Sequence, residues 1–181
     1  MTYFINKKIL NNSFTEAYNS EFFVDKTELI SKINKLISTN SKYLCITRPR
    51  RFGKTINAMM LECYYSKNAD FRNIFDNLNI SKCNSYEKHL NKHNVVYINF
   101  SNPLNKSESY NDFIDGFYDQ IVDDLEELYN VNIDRNKRLG KIFEDISSKI
   151  NEGFIFIIFE RFVKRSSICR IMLHDRSITN C

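Results

Sequence analysis

Gly53, Lys54 and Thr55 stand together at the end of the string RPRRFGKT, Arg48 to Thr55, and they are the residue types that hold a phosphate chain and its divalent cation. A glycine lets backbone approach phosphate closely, the free N–H groups of a first helical turn point at the anion, and the helix dipole adds partial positive charge. The lysine ammonium then reaches the β and γ phosphates, and the threonine hydroxyl faces magnesium. Such a loop needs a strand before it and a helix after it. Both are legible: KYLCIT, Lys42 to Thr47, reads as a short buried strand, and Ile56, Met59, Met60 and Cys63 recur at helical spacing.

The usual pattern is G-x-x-x-x-G-K-[ST], and where its first glycine belongs this chain has Arg48. Between Arg48 and Gly53 come Pro49, Arg50, Arg51 and Phe52, so ring rigidity and guanidinium charge partly replace glycine flexibility. Arg50, Arg51, Phe52, Gly53, Lys54 and Thr55 are the candidate nucleotide-binding residues, with Thr55 also the candidate metal contact. The competing reading is a basic surface turn, because GK[ST] alone is common. The strand, the helix and the arginine cluster favour phosphate.

The string TRPRRFGKT, with EFFVDKTELI (Glu21 to Ile30) ahead of it, resembles the AAA-ATPase-like proteins of bacteria and some microbial eukaryotes. FRNIFDNLNI (Phe71 to Ile80) and HNVVYINFSN (His93 to Asn102) are similar to later segments of that family, so the resemblance runs over about residues 14 to 160. It implies a divergent P-loop ATPase domain that uses ATP and Mg2+. In the family such a domain usually precedes a nuclease-like domain, which implies a possible nucleic-acid partner through a C-terminal portion missing here.

The elements that must position the loop follow from periodicity. Asp25 with Glu28 reads as a capping box opening a helix whose buried stripe is Leu29, Ile30, Ile33, Leu36 and Ile37. The helix after the loop runs from about Lys54 to Ser66, and the polar stretch from Lys67 to Asn94 carries one short helix around Phe71 to Leu78. VVYINF, Val95 to Phe100, is a continuous β-branched and aromatic run suited to the inside of a parallel sheet. A helix from Tyr110 to Tyr129 repeats Phe113, Phe117, Ile121 and Leu125, and its many acids read as a solvated face rather than a metal site. Lys141 to Ile150 is another helix, and FIFIIFE, Phe154 to Glu160, the third strand. The expected fold is α/β: a P-loop NTPase-like open parallel sheet with flanking helices, incomplete, with about three core strands.

The third strand is where a P-loop ATPase needs an acid for magnesium and often a glutamate that orients the attacking water. The family resemblance implies Asp-Glu at this strand end. This chain has Phe159 and Glu160. A phenyl ring cannot ligate a hard cation, so Glu160 is left as the candidate catalytic residue, balanced against a plain solvent-facing carboxylate. Slow or undetectable hydrolysis is expected.

Residues 1–160 thus read as a partial AAA-ATPase-like P-loop domain. Residues 161–181 read as a basic, aperiodic tail, disordered or the product of a shifted frame, with Arg161, Lys164, Arg165, Arg170 and Arg176 against the single acid Asp175. The function class set against an ATPase is a catalytically dead binding module, docking an acidic partner or a nucleic acid backbone through the basic groups of loop and tail.

Composition narrows the rest. A chain of 181 residues that is 43% hydrophobic is one domain's worth and can bury a core. Cys45, Cys63, Cys83, Cys169 and Cys181 show no C-x-x-C spacing and read as reduced thiols of a cytoplasmic protein. No signal peptide and no apolar run long enough to span a membrane is present, so no membrane partner is expected. His89, His93 and His174 read as surface histidines, since no H-E-x-x-H or C-x-x-C accompanies them. A net charge of +4 is too mild to be a nucleic-acid footprint on its own.

Overall fold

Three runs rich in β-branched and aromatic residues form the framework: β1, Tyr43–Arg48, β2, Asn94–Asn99, and β3, Phe154–Arg161. The structure, a computed structural model, describes residues 3–7, 13–37, 39–41, 43–48, 52–100, 109–161 and 167–174. β2 and β3 pair in parallel, with Val96 opposite Phe156. A fourth strand, β4, Ser167–His174, lies between β1 and β3 and is antiparallel to both, giving the order β1-β4-β3-β2. β1, β2 and β3 therefore all run in one direction, as expected.

β4 is the correction. The stretch from 161 onward was expected to be a basic, aperiodic tail, disordered or the product of a shifted frame; against disorder, Arg161 ends β3 and Ser167–His174 pairs along the length of β1 and β3. Basic residues mark the stretch as a whole, but β4 itself holds one arginine, and Ile168, Ile171, Met172 and Leu173 make it a competent strand. Without it, β1 and β3 would face each other across an empty strand position with their backbone groups unpaired, which is costly. A short return from β3 fills that position, and a short return can only run antiparallel. Residues 162–166 and 175–181 lie outside the described residues.

Side chains alternate between the two faces of the sheet. Val95, Tyr97, Ile155, Ile157, Phe159 and Ile171 face one core, closed by α1 (Ser13–Tyr18), α2 (Glu28–Asn34) and α3 (Lys54–Tyr65). Val96, Ile98, Phe154 and Phe156 face a second core under α6 (Tyr110–Tyr129) and α7 (Leu139–Ile150). The polar stretch after α3 is more structured than its composition suggests: it holds α4 (Arg72–Phe75), a 3-10 turn (Asn79–Lys82) and α5 (Tyr86–His89).

α6 begins on a capping box between Ser109 and Asp112, which helps to fix its first turn. Its acids are not simply a solvated face. Asp124 is buried and accepts the backbone N–H groups of Tyr3, Phe4 and Ile5, pinning the N-terminal segment along the outer edge of β2, where Ile5 bridges Val96. Asp123 and Glu126 converge on the Arg135 guanidinium at 2.6 and 2.9 Å, with Asp119 beside them.

The histidine reading also changes. His89 is buried, and its Nδ1 lies 3.0 Å from Nε2 of His93 in a stacked pair, one ring donating to the other. Burial and the nearby Lys88 and Lys92 hold the His89 imidazole below its ordinary value. Cys45, Cys63 and Cys83 are free thiols. Among the described residues no helix is long and apolar enough to cross a membrane.

Glu62 on α3 carries a measurable consequence. Its side chain is 5% exposed and pairs with Lys7 at 3.3 Å, and burial pushes its carboxyl from 4.5 up to about 7, against the pull of Lys7. The folded chain therefore keeps a proton that the unfolded chain releases, so this group favours folding most below pH 4.5, and its contribution declines as pH rises to about 7. At about 1.4 kcal/mol per pH unit the loss reaches about 3 kcal/mol. Glu62→Gln is expected to remove that slope: denaturant unfolding at pH 5 and pH 8 should show the variant gaining on the parent at the higher pH. Equal slopes in both proteins would show that Glu62 ionises normally in the fold.

Candidate functional site

All three parallel strands end on one side of the sheet, and the loop after β1 leaves from there. Arg48 and Arg161 both stand opposite Ser167, Thr47 and Glu160 both flank Ile168, and Asn99 stands opposite Phe159. Two strand spacings separate Thr47 from Glu160, about 10 Å. The region beyond the carboxyl ends of parallel strands is where open α/β sheets take their ligands.

Gly53 ends the loop as the N-cap of α3, in the left-handed conformation at φ 71°, which favours glycine. Its carbonyl accepts the Asn57 N–H at 2.9 Å, so the helix starts there and its first N–H groups are left facing the loop. Lys54, the first helical residue, is 5% exposed. Burial pulls its ammonium below the ordinary lysine range. Thr55 follows on the same first turn, half-buried, and Phe52 is exposed at 58%. Arg50 and Arg51 lie outside the described residues. The structure thus brings Phe52, Gly53, Lys54 and Thr55 together at the helix start.

The carboxyl end of β3 is different. Phe159 is 5% exposed and belongs to the core on the α3 side, with Ile157 and Ile171. Glu160 is described in its backbone alone, in register with Ile168. These donors suit a phosphate chain: a glycine with no Cβ, the N–H groups of a first helical turn and a buried lysine. For magnesium the chain offers the Thr55 hydroxyl, and no oxygen at position 159. Among the described residues no group of three or more His, Cys, Asp or Glu side chains could hold a metal.

A further cation reaches the same place. A Cβ added to Gly53 would meet Lys26 Nζ at 3.1 Å, so the Lys26 ammonium lies against the loop's glycine. Asp25 was expected to cap α2, but the N-cap is Thr27, without a side-chain bond, and the helix starts at Glu28. Asp25 instead folds its own segment: Oδ1 accepts the Thr27 N–H at 2.8 Å and the Thr27 hydroxyl at 2.7 Å, and Oδ2 accepts the Asn79 N–H at 2.7 Å. Thr27 Oγ1 in turn accepts the Ile80 N–H at 3.1 Å. Burial alone would raise the Asp25 carboxyl, but the Asn79 N–H and the Thr27 hydroxyl and N–H outweigh it and hold the group below its ordinary value. The strings FVDKT and FRNIFDNLNI are thus two halves of one clamp that sets the backbone carrying Lys26. Their joint presence in the sequence was the available signal; pairing between them could not be read without the fold.

Residues 11–163 match the family described as Predicted AAA-ATPase. The chain belongs to this family. The match takes in the clamp, the loop, α3 and the three parallel strands, and it ends before β4. Membership supports a nucleotide-binding, ATPase-like domain. No curated protein and no solved structure gives a significant match.

Proposed function

We propose that the chain is an ATP-binding P-loop domain in which the loop 48–55 holds the nucleotide's phosphates and hydrolysis is weak or absent. The observation that carries this reading is the buried Lys54 ammonium directly after left-handed Gly53, at the start of α3 and beyond the carboxyl ends of three parallel strands. Lys54 clamps the β and γ phosphates, Gly53 lets the backbone approach them, and the α3 N–H groups complete the cradle. Arg50 and Arg51 add positive charge, and Phe52 borders the site. Thr55 is the residue that would hold a magnesium ion, which would supply neutralisation of the phosphate charge. Glu160 is the candidate for orienting a water molecule.

The charge of Lys54 does not contradict its burial. An ammonium kept partly desolvated attracts an anion more strongly than one in water, because the local dielectric is low. Phe159 weakens the catalytic half of the site by removing a carboxylate that would fix the cation. Turnover of ATP is therefore expected below about 1 per second, the lower end of ordinary phosphoryl-transfer rates, in a steady-state phosphate-release assay. A faster rate would place the second acidic group elsewhere in the chain. Calorimetric titration with magnesium and ATP tests the binding itself. Saturable heat at one site per chain is expected, and none at millimolar ATP would dispose of the proposal.

A further inference from the structure

A cleft of about 290 Å³ opens beside the loop, with Gly53 and Lys26 at its lining. One wall is the segment preceding Asp25, with Phe22 and Val24; the other is the start of α3, with Ile56, Asn57 and Met60. We infer that this cleft takes the nucleobase of the nucleotide whose phosphates lie on the loop, and that Lys26, between the two, contacts the phosphate chain as a second cation. This rests on the phosphate-binding reading of the loop.

Five observations argue for it. The cleft shares Gly53 with the loop, so a ligand anchored by its phosphates at Lys54 extends into it. Pockets for whole small ligands run from about 300 to 1,000 Å³, so this one suits one end of a nucleotide, with the phosphates outside. Its walls are mostly apolar and aromatic, with the Asn57 amide and the Ser20 hydroxyl as polar groups beside Lys26, a composition that holds a flat heterocycle and reads a polar edge. Phe22 is 84% exposed at the rim, a phenyl ring with no packing role of its own and free to stack on a base. The Asp25–Thr27 clamp explains how Lys26 is held at Gly53: the side chains of Asp25 and Thr27, on both sides of the lysine, accept the Asn79 and Ile80 N–H groups.

The test compares two ligands on the full chain by calorimetry: ATP with magnesium, and inorganic tripolyphosphate with magnesium, which has the phosphates and no base. ATP is expected to bind at least about tenfold more tightly, from stacking in the cleft. Phe22→Ala, an exposed site whose loss leaves the core intact, is expected to weaken ATP by about 5- to 150-fold and to leave tripolyphosphate unchanged. Lys26→Ala is expected to weaken both ligands, and Lys26→Arg to restore them. Equal affinity for ATP and tripolyphosphate, with Phe22→Ala changing neither, would overturn the base assignment while the loop reading stands. A Lys26→Ala variant with parental affinity for both would overturn the role of Lys26. Failure of both ligands to bind the parent chain would remove the loop reading and this inference together.

Discussion

Phe159→Asp is expected to unfold or severely destabilise the domain, by at least about 4 kcal/mol, and to restore no hydrolysis. The substitution writes in the acid that the family resemblance implies for the end of the third strand, and on sequence alone it looks like a repair. In the fold the ring is 5% exposed and packs in the core between the sheet and α3. Removing a buried phenyl to leave a small side chain costs about 3–5 kcal/mol. Placing an unpaired carboxylate among Ile157, Ile171 and their neighbours adds a desolvation penalty that the group can reduce only by staying protonated. Against a total stability of about 5–15 kcal/mol, such a loss removes much or all of the folded population. Denaturant titration followed by far-ultraviolet circular dichroism reads the result. A folded Phe159→Asp chain with magnesium-dependent ATP turnover would show that position 159 opens onto the site after all.

Lys54→Met is expected to separate binding from folding in the opposite direction. Methionine keeps most of the length and the apolar stem of lysine, so it fills the same space at the start of α3. The variant should stay folded. Its ATP affinity should fall by about 30- to 1,000-fold, the range for truncating one member of a close, desolvated charge pair, about 2–4 kcal/mol. Unaltered affinity would mean that the ammonium does not face the phosphates.

Local signals were legible where they were self-contained. The helix from Tyr110 to Tyr129 has its repeat of apolar residues within itself, and its bounds agree with the structure. β2 and β3 are unbroken apolar runs and fall within a residue of their expected places. Gly53 and Lys54 were legible because strand, glycine, lysine and helix are consecutive. What could not be read depended on distant partners. Asp25 looks like a helix cap by its spacing to Glu28, yet its carboxylate is taken by Thr27 and by Asn79, far along the chain. Asp124 sits in a run of acids and is buried because three backbone N–H groups from the chain's first residues reach it. β4 has a single arginine and was hidden by the basic residues around it, Arg161, Lys164, Arg165 and Arg176, while its place in the sheet is set by the distant gap between β1 and β3.

The most direct test of the loop as the nucleotide site is the thermal midpoint of the parent and of Lys54→Met, each with and without ATP and magnesium at one fixed concentration. A ligand that binds the native state alone, present at about 100 times its dissociation constant, adds about 2.7 kcal/mol. For a chain of this size that is about 5–10 °C. The account predicts such a rise for the parent and little or none for Lys54→Met at the same ATP concentration. Equal rises in both proteins would contradict it, since nucleotide would then be held somewhere that Lys54 does not reach.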